Sequence, residues 1–185
     1  MRSTYLMRRL LAAVLALLFA AAPAAAAVEI SFHSKDFGAT FPHAFIVLAG
    51  SLDETGEPVD ANYGFTVRHL IGPSVLFGRV QGMIESVDQG FVEHSNRHFS
   101  MVLTDAQYRQ VLELVERWRQ LPQPSYALDR RNCVSFVAEV AGLLGLEAET
   151  RGLMRRPRAF LDRVRARNLA VLEAASDLAG VPAAP

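Results

Sequence analysis

The hydrophobic pattern of this chain changes period once, and that change most constrains the fold. Between residues 28 and 103, apolar side chains recur in short segments with a period of two, which is typical of β-strands. After residue 103 they recur at intervals of three and four, the spacing of amphipathic helices. Because strands come first and helices come last, the order favours an α+β fold.

We expect an antiparallel sheet of about five strands followed by two to three helices. The predicted strands cover residues 28–33, 43–50, 61–70, one or two segments within 73–87, and 97–103. The first helix is predicted to begin at Thr104 or Asp105, the second near Asn132 and the third after Pro157. Asn132 is a favoured N-cap residue.

The N-terminus has the pattern of a secretory signal peptide. Arg2, Arg8 and Arg9 form a basic region, residues 10–22 are apolar, and small residues at 24–27 follow as a cleavage site. The apolar run is shorter than the roughly 20 residues that span a membrane. We therefore predict export to the periplasm or beyond, with an uncleaved anchor as the alternative.

The chain is expected to have three parts: a signal peptide at 1–27, a single domain at 28–172, and a flexible tail at 173–185 that is rich in Ala, Gly and Pro. Without the signal peptide, 16 basic and 19 acidic side chains remain, a net charge of about −3. This balance gives no reason to expect nucleic acid as a partner. No metal or organic cofactor is implied, because no phosphate-binding loop or HExxH motif is present.

Cys133, the single cysteine, is the first candidate for chemistry. It follows the predicted N-cap Asn132, so its thiolate would be stabilised by the unpaired N–H groups of the first helical turn. Arg130 and Arg131 add positive charge nearby. We therefore expect a lowered thiol pKa and a nucleophilic role. A buried, inert cysteine that packs as a small apolar residue is the alternative.

Five histidines are available to accept the proton of the thiol. His43 opens an apolar strand directly after a loop, and a histidine on a strand that faces a helix N-terminus is the arrangement of papain-type enzymes. His33 and His69 end predicted strands, and His94 lies in a polar loop. His98 alternates with the apolar residues of its strand and is expected to point to solvent. His43 is therefore the predicted base.

A third residue would orient the imidazole and fix its tautomer. If the strand after the 51–60 loop pairs back across the hairpin, Asn62 falls near His43. Asn62 could equally be the last turn residue before that strand. Asp60 and Tyr63 are possible substitutes in the orienting role. The sequence therefore predicts a catalytic set of Cys133, His43 and Asn62, with the third member open.

The run Asn132-Cys133-Val134-Ser135-Phe136-Val137 resembles the Asn-Cys-x-x-Phe-Val signature of the lecithin retinol acyltransferase-like group. These proteins are circularly permuted relatives of NlpC-type cell-wall peptidases within the papain-like fold. The resemblance covers roughly residues 43–146, and His43 precedes Cys133 as the permuted order requires. It implies a permuted papain-like fold in which Cys133 is the nucleophile and His43 the base. Val134 and Ser135 stand where acyltransferase members often carry histidine.

Two functions follow as hypotheses. The first is a secreted cysteine hydrolase or acyltransferase that cleaves an amide of a peptidoglycan peptide or of a lipid, or an ester, with hydrolysis favoured. The second is a non-catalytic, envelope-associated binding domain on the same scaffold. Seven arginines lie within residues 151–167, and a basic helix can attract anionic lipid headgroups. Arg155, Arg156 and Arg158 are accordingly candidates for contact with an anionic envelope surface, with a solvated helix face as the simpler explanation.

Overall fold

The computed structural model describes residues 27–37, 40–69 and 78–179. The described chain is α+β, with a five-stranded antiparallel sheet and five helices, which confirms the predicted class and sheet. Four of these helices follow the last strand, where two to three are predicted, and a short fifth helix precedes that strand. In chain order the elements are β1 (Val28–Phe37), β2 (Thr40–Ser51), β3 (Pro58–Val67), β4 (Gly82–Glu85), α1 (Gln89–Glu93), β5 (Asn96–Leu103), α2 (Asp105–Arg119), α3 (Cys133–Leu143), α4 (Pro157–Arg167) and α5 (Leu169–Ala179).

The strand order is β4-β3-β2-β1-β5, so β2 lies at the centre of the sheet. It pairs with β1 on one side, where Ser34 lies opposite Ala44, and with β3 on the other, where Ile46 lies opposite Tyr63. The pairing of β2 with β3 begins at Ile46 and Tyr63 and continues to the 52–57 loop that connects the two strands. The opposite end of β2, at residues 42–44, is where α3 begins.

The core lies between the sheet and the helices that pack on it. Its aromatic centre joins the sheet to two helices: the Phe65 ring lies 4.8 Å from that of Trp118, which in turn lies 5.4 Å from that of Phe136. These rings come from β3, α2 and α3 respectively. Apolar burial at these contacts holds α3 against the sheet and thereby fixes the position of its first turn.

One predicted histidine position is wrong because of a β-bulge. The register of β1 against β5 shifts by one residue, which leaves His98 without a partner across the ladder. A bulge interrupts the alternation of side chains between the two faces of a sheet. His98 is consequently buried, with Nε2 2.8 Å from the Ser34 hydroxyl and Nδ1 2.7 Å from the Asp162 carboxylate on α4. The expectation of a solvent-facing side chain does not hold.

The last helix extends into the segment predicted to be a tail. Helix α5 continues to Ala179, so residues 173–179 are helical, and Leu172 on this helix is buried. Apart from Ala27, the predicted signal peptide lies outside the described residues, as do residues 180–185. None of the helices described is long and apolar enough to span a bilayer.

Candidate functional site

The first turn of α3 is fixed by its N-cap, as the sequence predicts. The Asn132 side-chain oxygen accepts hydrogen bonds from the N–H groups of Val134 and Ser135, at 2.8 and 3.3 Å. Its side-chain nitrogen donates to the carbonyl oxygens of Leu128 and Met154. The Ser135 hydroxyl completes a capping box by accepting the Asn132 N–H. Because the buried Asn132 side chain makes these four hydrogen bonds, the position of the first turn of α3 is fixed.

The Cys133 thiol lies against the central strand. Its sulfur is close to the N–H of Ala44 on β2 and to N–H groups of its own helical turn, those of Val134 and Cys133 itself. The residue is only 5% exposed. Because Ala44 follows His43 directly, this contact places the thiol against the backbone of the strand end that carries His43. Successive side chains of a strand point to opposite faces of the sheet. Ala44 and Cys133 belong to the core on the helix side, whereas His43 stacks on Phe45, so the imidazole lies on the other face of β2 from the sulfur.

Burial controls the charge of the thiol. It raises the pKa of Cys133 to about 11, and the three N–H groups that would stabilise a thiolate offset it only in part. Arg130 and Arg131 line a neighbouring groove and do not lower the pKa. The expected lowering of the thiol pKa is therefore wrong. The stabilisation available at a helix N-terminus is smaller than the penalty for removing a thiolate from water.

His43 is also neutral, for the same reason. Burial lowers the pKa of its imidazole from 6.5 to about 4. The ring stacks on Phe45, with centroids 6.0 Å apart and planes 12° from parallel. Its Nε2 is buried and has no hydrogen-bond partner among the described residues. At neutral pH the site therefore contains a neutral thiol and a neutral imidazole.

Gly64 on β3 lies close to this nitrogen. A Cβ atom built on Gly64 would come 2.3 Å from His43 Nε2, 2.9 Å from its Cε1 and 3.2 Å from Phe45 Cβ. The imidazole therefore uses the space that a side chain at residue 64 would fill. A residue that orients the imidazole could reach Nε2 from this position, but glycine has no side chain to do so. Sequence reasoning missed Gly64 because its relation to His43 depends on the pairing of β2 with β3.

Asn62 does not orient His43. It lies opposite Val47, four residues along β2 from His43, a separation of roughly 13 Å at about 3.3 Å per residue. Its amide nitrogen donates to the Val87 carbonyl, and its oxygen accepts the Val87 N–H. Both ends of the amide are thus used to hold the segment after β4. The predicted third member is corrected to a structural residue.

The two substitutes for Asn62 do not fill this position either. Asp60 is exposed and lies opposite Ala49, still farther along the hairpin. The Tyr63 ring packs beneath the Arg119 guanidinium, 5.4 Å from the ring centre, on the side of α2. Among the residues described, none of the three proposed orienting side chains reaches His43 Nε2.

The remaining histidines are placed away from the thiol. His33 is buried in the extended part of β1 and contacts the hydroxyls of Ser31 and Ser95 at 2.9 and 2.8 Å. Burial is the largest cause that lowers its pKa to about 4. His69 and His94 are exposed. The predicted strand ends at His33, but β1 extends four residues beyond it and the side chain is buried.

A small cavity of about 80 Å³ opens onto the thiol. It is lined by Pro42, Tyr126, Leu128, Asn132, Cys133, Met154, Arg155 and Pro157. Tyr126 is a site residue that the sequence did not indicate, because it lies in an irregular segment without a motif. Burial raises its pKa, and the nearby Cys133 raises it further. The cavity therefore combines mainly apolar walls with a thiol and a phenol.

A larger groove of about 620 Å³ adjoins this cavity, and the two share Leu128 and Arg155. Four arginines line the groove: Arg79, Arg130, Arg131 and Arg155. The Arg155 guanidinium is bound by Asp129 through two hydrogen bonds of 2.5 and 2.8 Å. Of the predicted basic surface, Arg155 is thus already paired, and Arg158 lies 3.6 Å from the Asp36 carboxylate.

Comparisons with protein-family models, with curated proteins and with solved structures found no match to this chain. Within the described part, no group of three or more His, Cys, Asp or Glu side chains is arranged to hold a metal ion. The interpretation of the site therefore rests on the chemistry and geometry of its own residues.

Proposed function

We propose that this protein is a secreted cysteine hydrolase or acyltransferase with a permuted papain-like arrangement. One observation carries the proposal: the Cys133 sulfur, at the capped N-terminus of α3, contacts the Ala44 N–H directly after His43. This contact places the thiol at a helix start against the strand that carries His43, whose imidazole is on the other face of that strand, and a small cavity opens at the thiol.

In the proposed reaction, the Cys133 sulfur attacks the carbonyl carbon of an amide or ester and forms a carbon–sulfur bond. The thiol proton passes to the His43 imidazole as the sulfur attacks, which requires the ring to leave its stack on Phe45 and turn around the end of β2. The Cys133 N–H at the helix start stabilises the negative charge on the carbonyl oxygen. Collapse of this intermediate breaks the bond to the leaving amine or alcohol, which takes the proton from His43. Water or another acceptor then cleaves the thioester and regenerates the thiol.

The resting pair in this proposal is uncharged. With a thiol pKa of about 11 and an imidazole pKa of about 4, transfer of a proton from Cys133 to His43 is unfavourable without substrate. The proton moves only when the sulfur attacks, so His43 acts as a general base rather than as a resting imidazolium. A pair without a third orienting residue is expected to be slow, because nothing stabilises the imidazolium at Nε2.

The cavity favours a compact acyl group. Its volume of about 80 Å³ and its Pro42, Leu128, Met154 and Pro157 walls suit a small apolar chain next to the scissile carbonyl. We favour amide or peptide hydrolysis, for which a cell-wall peptide is a substrate that a periplasmic enzyme can reach. A lipid amide or ester remains within the proposed chemistry.

The test is turnover by the mature protein, starting near residue 28, of matched ester, thioester and peptide-amide substrates. Wild type is compared with Cys133→Ala and Cys133→Ser, and thermal unfolding confirms that each variant is folded. We expect hydrolysis by wild type and loss of turnover in both variants. Turnover that persists in folded Cys133→Ala would refute Cys133 as the nucleophile.

A second candidate is a non-catalytic envelope-associated binding domain, and two observations favour it. The thiol is 5% exposed with a raised pKa, and Gly64 leaves His43 Nε2 without the partner that an active pair uses. In this case all substrates of the panel remain intact. Alkylation of Cys133 would then be equally slow in wild type and in His43→Ala.

A further inference from the structure

We infer that the groove beside Cys133 binds the carboxylate of the substrate while the scissile acyl group enters the cavity. The groove is defined by Arg79, Arg130, Arg131 and Arg155. The inference builds on the proposed function, since it specifies the substrate class of the same site: an acyl compound, such as an acidic peptide, that carries a negative charge next to the bond cleaved.

The charge in the groove is neutralised only in part by the protein. The one carboxylate in its lining, Asp129, is paired with Arg155 and lies near Arg130. Among described residues, Arg79, Arg130 and Arg131 make no ion pair, as is also true of some arginines outside the groove, such as Arg151 and Arg163. Three unpaired guanidinium groups around one concavity repel each other and favour an anion between them.

Two of the four arginines, Arg130 and Arg131, stand on a fixed segment. The N–H and carbonyl of Ala127 exchange hydrogen bonds with those of Arg131, at 2.9 and 2.8 Å, and the Arg130 N–H donates to the same Ala127 carbonyl at 3.0 Å. The buried Asn132 side chain then ties the Leu128 carbonyl to the start of α3. The turn that carries the charges is therefore connected rigidly to the residue that carries the thiol.

The geometry favours a carboxylate over a membrane surface. Arg155 binds the Asp129 carboxylate with two parallel hydrogen bonds. Arginine side chains bind a substrate carboxylate with the same geometry. A concave site of about 620 Å³ encloses a small charged group, whereas a bilayer contacts flat or convex surface. The shared wall at Leu128 and Arg155 connects such a bound carboxylate directly with the cavity at the thiol.

The experiment measures binding without turnover, in a Cys133→Ala background, by isothermal titration calorimetry. The probe is acetyl-Ala-Glu with free carboxylates, and its fully amidated form is the uncharged control. We expect saturable binding of the acid and none of the amide. Arg130→Gln/Arg131→Gln is expected to weaken binding at least about tenfold, and Arg109→Gln on α2, outside the groove, to leave it unchanged.

Two results would overturn the inference. One is absence of binding, or binding of the acid that the groove variant does not weaken. The other is groove-dependent binding of phosphatidylglycerol vesicles without binding of the acidic peptide, which would assign the charge to a lipid surface. Because the background lacks the thiol, a failure of the proposed catalysis does not affect this measurement, and each idea can fail separately.

Discussion

Replacement of Gly64 by alanine tests how closely His43 is held. The new Cβ would lie 2.3 Å from Nε2 and 2.9 Å from Cε1 of the imidazole, and the adjacent Phe45 Cβ would be at 3.2 Å. Ordinary contact between such atoms requires about 3.5 Å or more. The ring must therefore move by roughly 1 Å, although it is buried and stacked on Phe45.

Two magnitudes follow from this displacement. Overpacking at a buried site costs about 1–3 kcal/mol of the free energy of unfolding. A base moved by about 1 Å from its productive position can slow the reaction by about 100-fold. We therefore expect Gly64→Ala to be less stable than wild type and to react more slowly at Cys133. The fall in rate should be larger than the small decrease in the folded fraction can explain.

Urea unfolding of Gly64→Ala, His43→Ala and the double variant separates the clash from other effects. Once the imidazole is removed, only the 3.2 Å contact with Phe45 Cβ remains for an alanine at residue 64. Most of its cost is therefore expected to disappear, and the coupling free energy is expected to be at least about 1 kcal/mol. Gly142→Ala on α3 is the matched control. No atom lies within 4 Å of its new Cβ, and the change should stabilise the helix by about 0.5–1 kcal/mol.

The reasoning is refuted if Gly64→Ala has wild-type stability and the double variant shows no coupling. That result would mean that the imidazole is not confined above residue 64 and that its position is not fixed by the hairpin.

Three further predictions concern the same region. Asn132→Ala should lower the free energy of unfolding by about 1–2 kcal/mol in urea titrations, since the N-cap bonds and two carbonyl partners are lost. Asn62→Ala should lower stability through the lost Val87 bonds but leave acylation of Cys133 by an activated ester unchanged; a slower reaction would restore its proposed role. Between about pH 6.5 and pH 4, the unfolded chain binds a proton on His43 that the folded chain does not. Stability should therefore fall as pH falls through this range, by up to about 3 kcal/mol, and less so in His43→Gln.

The start of α3 could be predicted from sequence because helix capping is local. Asn132 accepts hydrogen bonds from residues two and three positions ahead, so its role needs no knowledge of the rest of the fold. The same holds for Thr104 at the start of α2, where Gln107 completes a capping box. The number and antiparallel order of the strands followed from periodicity and short connections.

The residues around His43 could not be predicted in this way. Which residue of β3 faces the imidazole depends on the register of the hairpin, and a difference of two positions separates Asn62 from Gly64. His98 was misplaced because a bulge of one residue leaves no clear mark in the sequence. The direction of the Cys133 pKa shift depended on burial by Tyr126 and other distant segments.

The most direct test of a Cys133–His43 pair is the rate at which p-nitrophenyl acetate acylates the mature protein between pH 3.5 and 8, followed by intact mass. We predict one acetyl group on Cys133, with a rate that rises through about pH 4, as His43 loses its proton, and is level above it. His43→Ala should be about 100-fold slower or more. No adduct, or a rate that increases tenfold per pH unit throughout and is the same in His43→Ala, would contradict the pair.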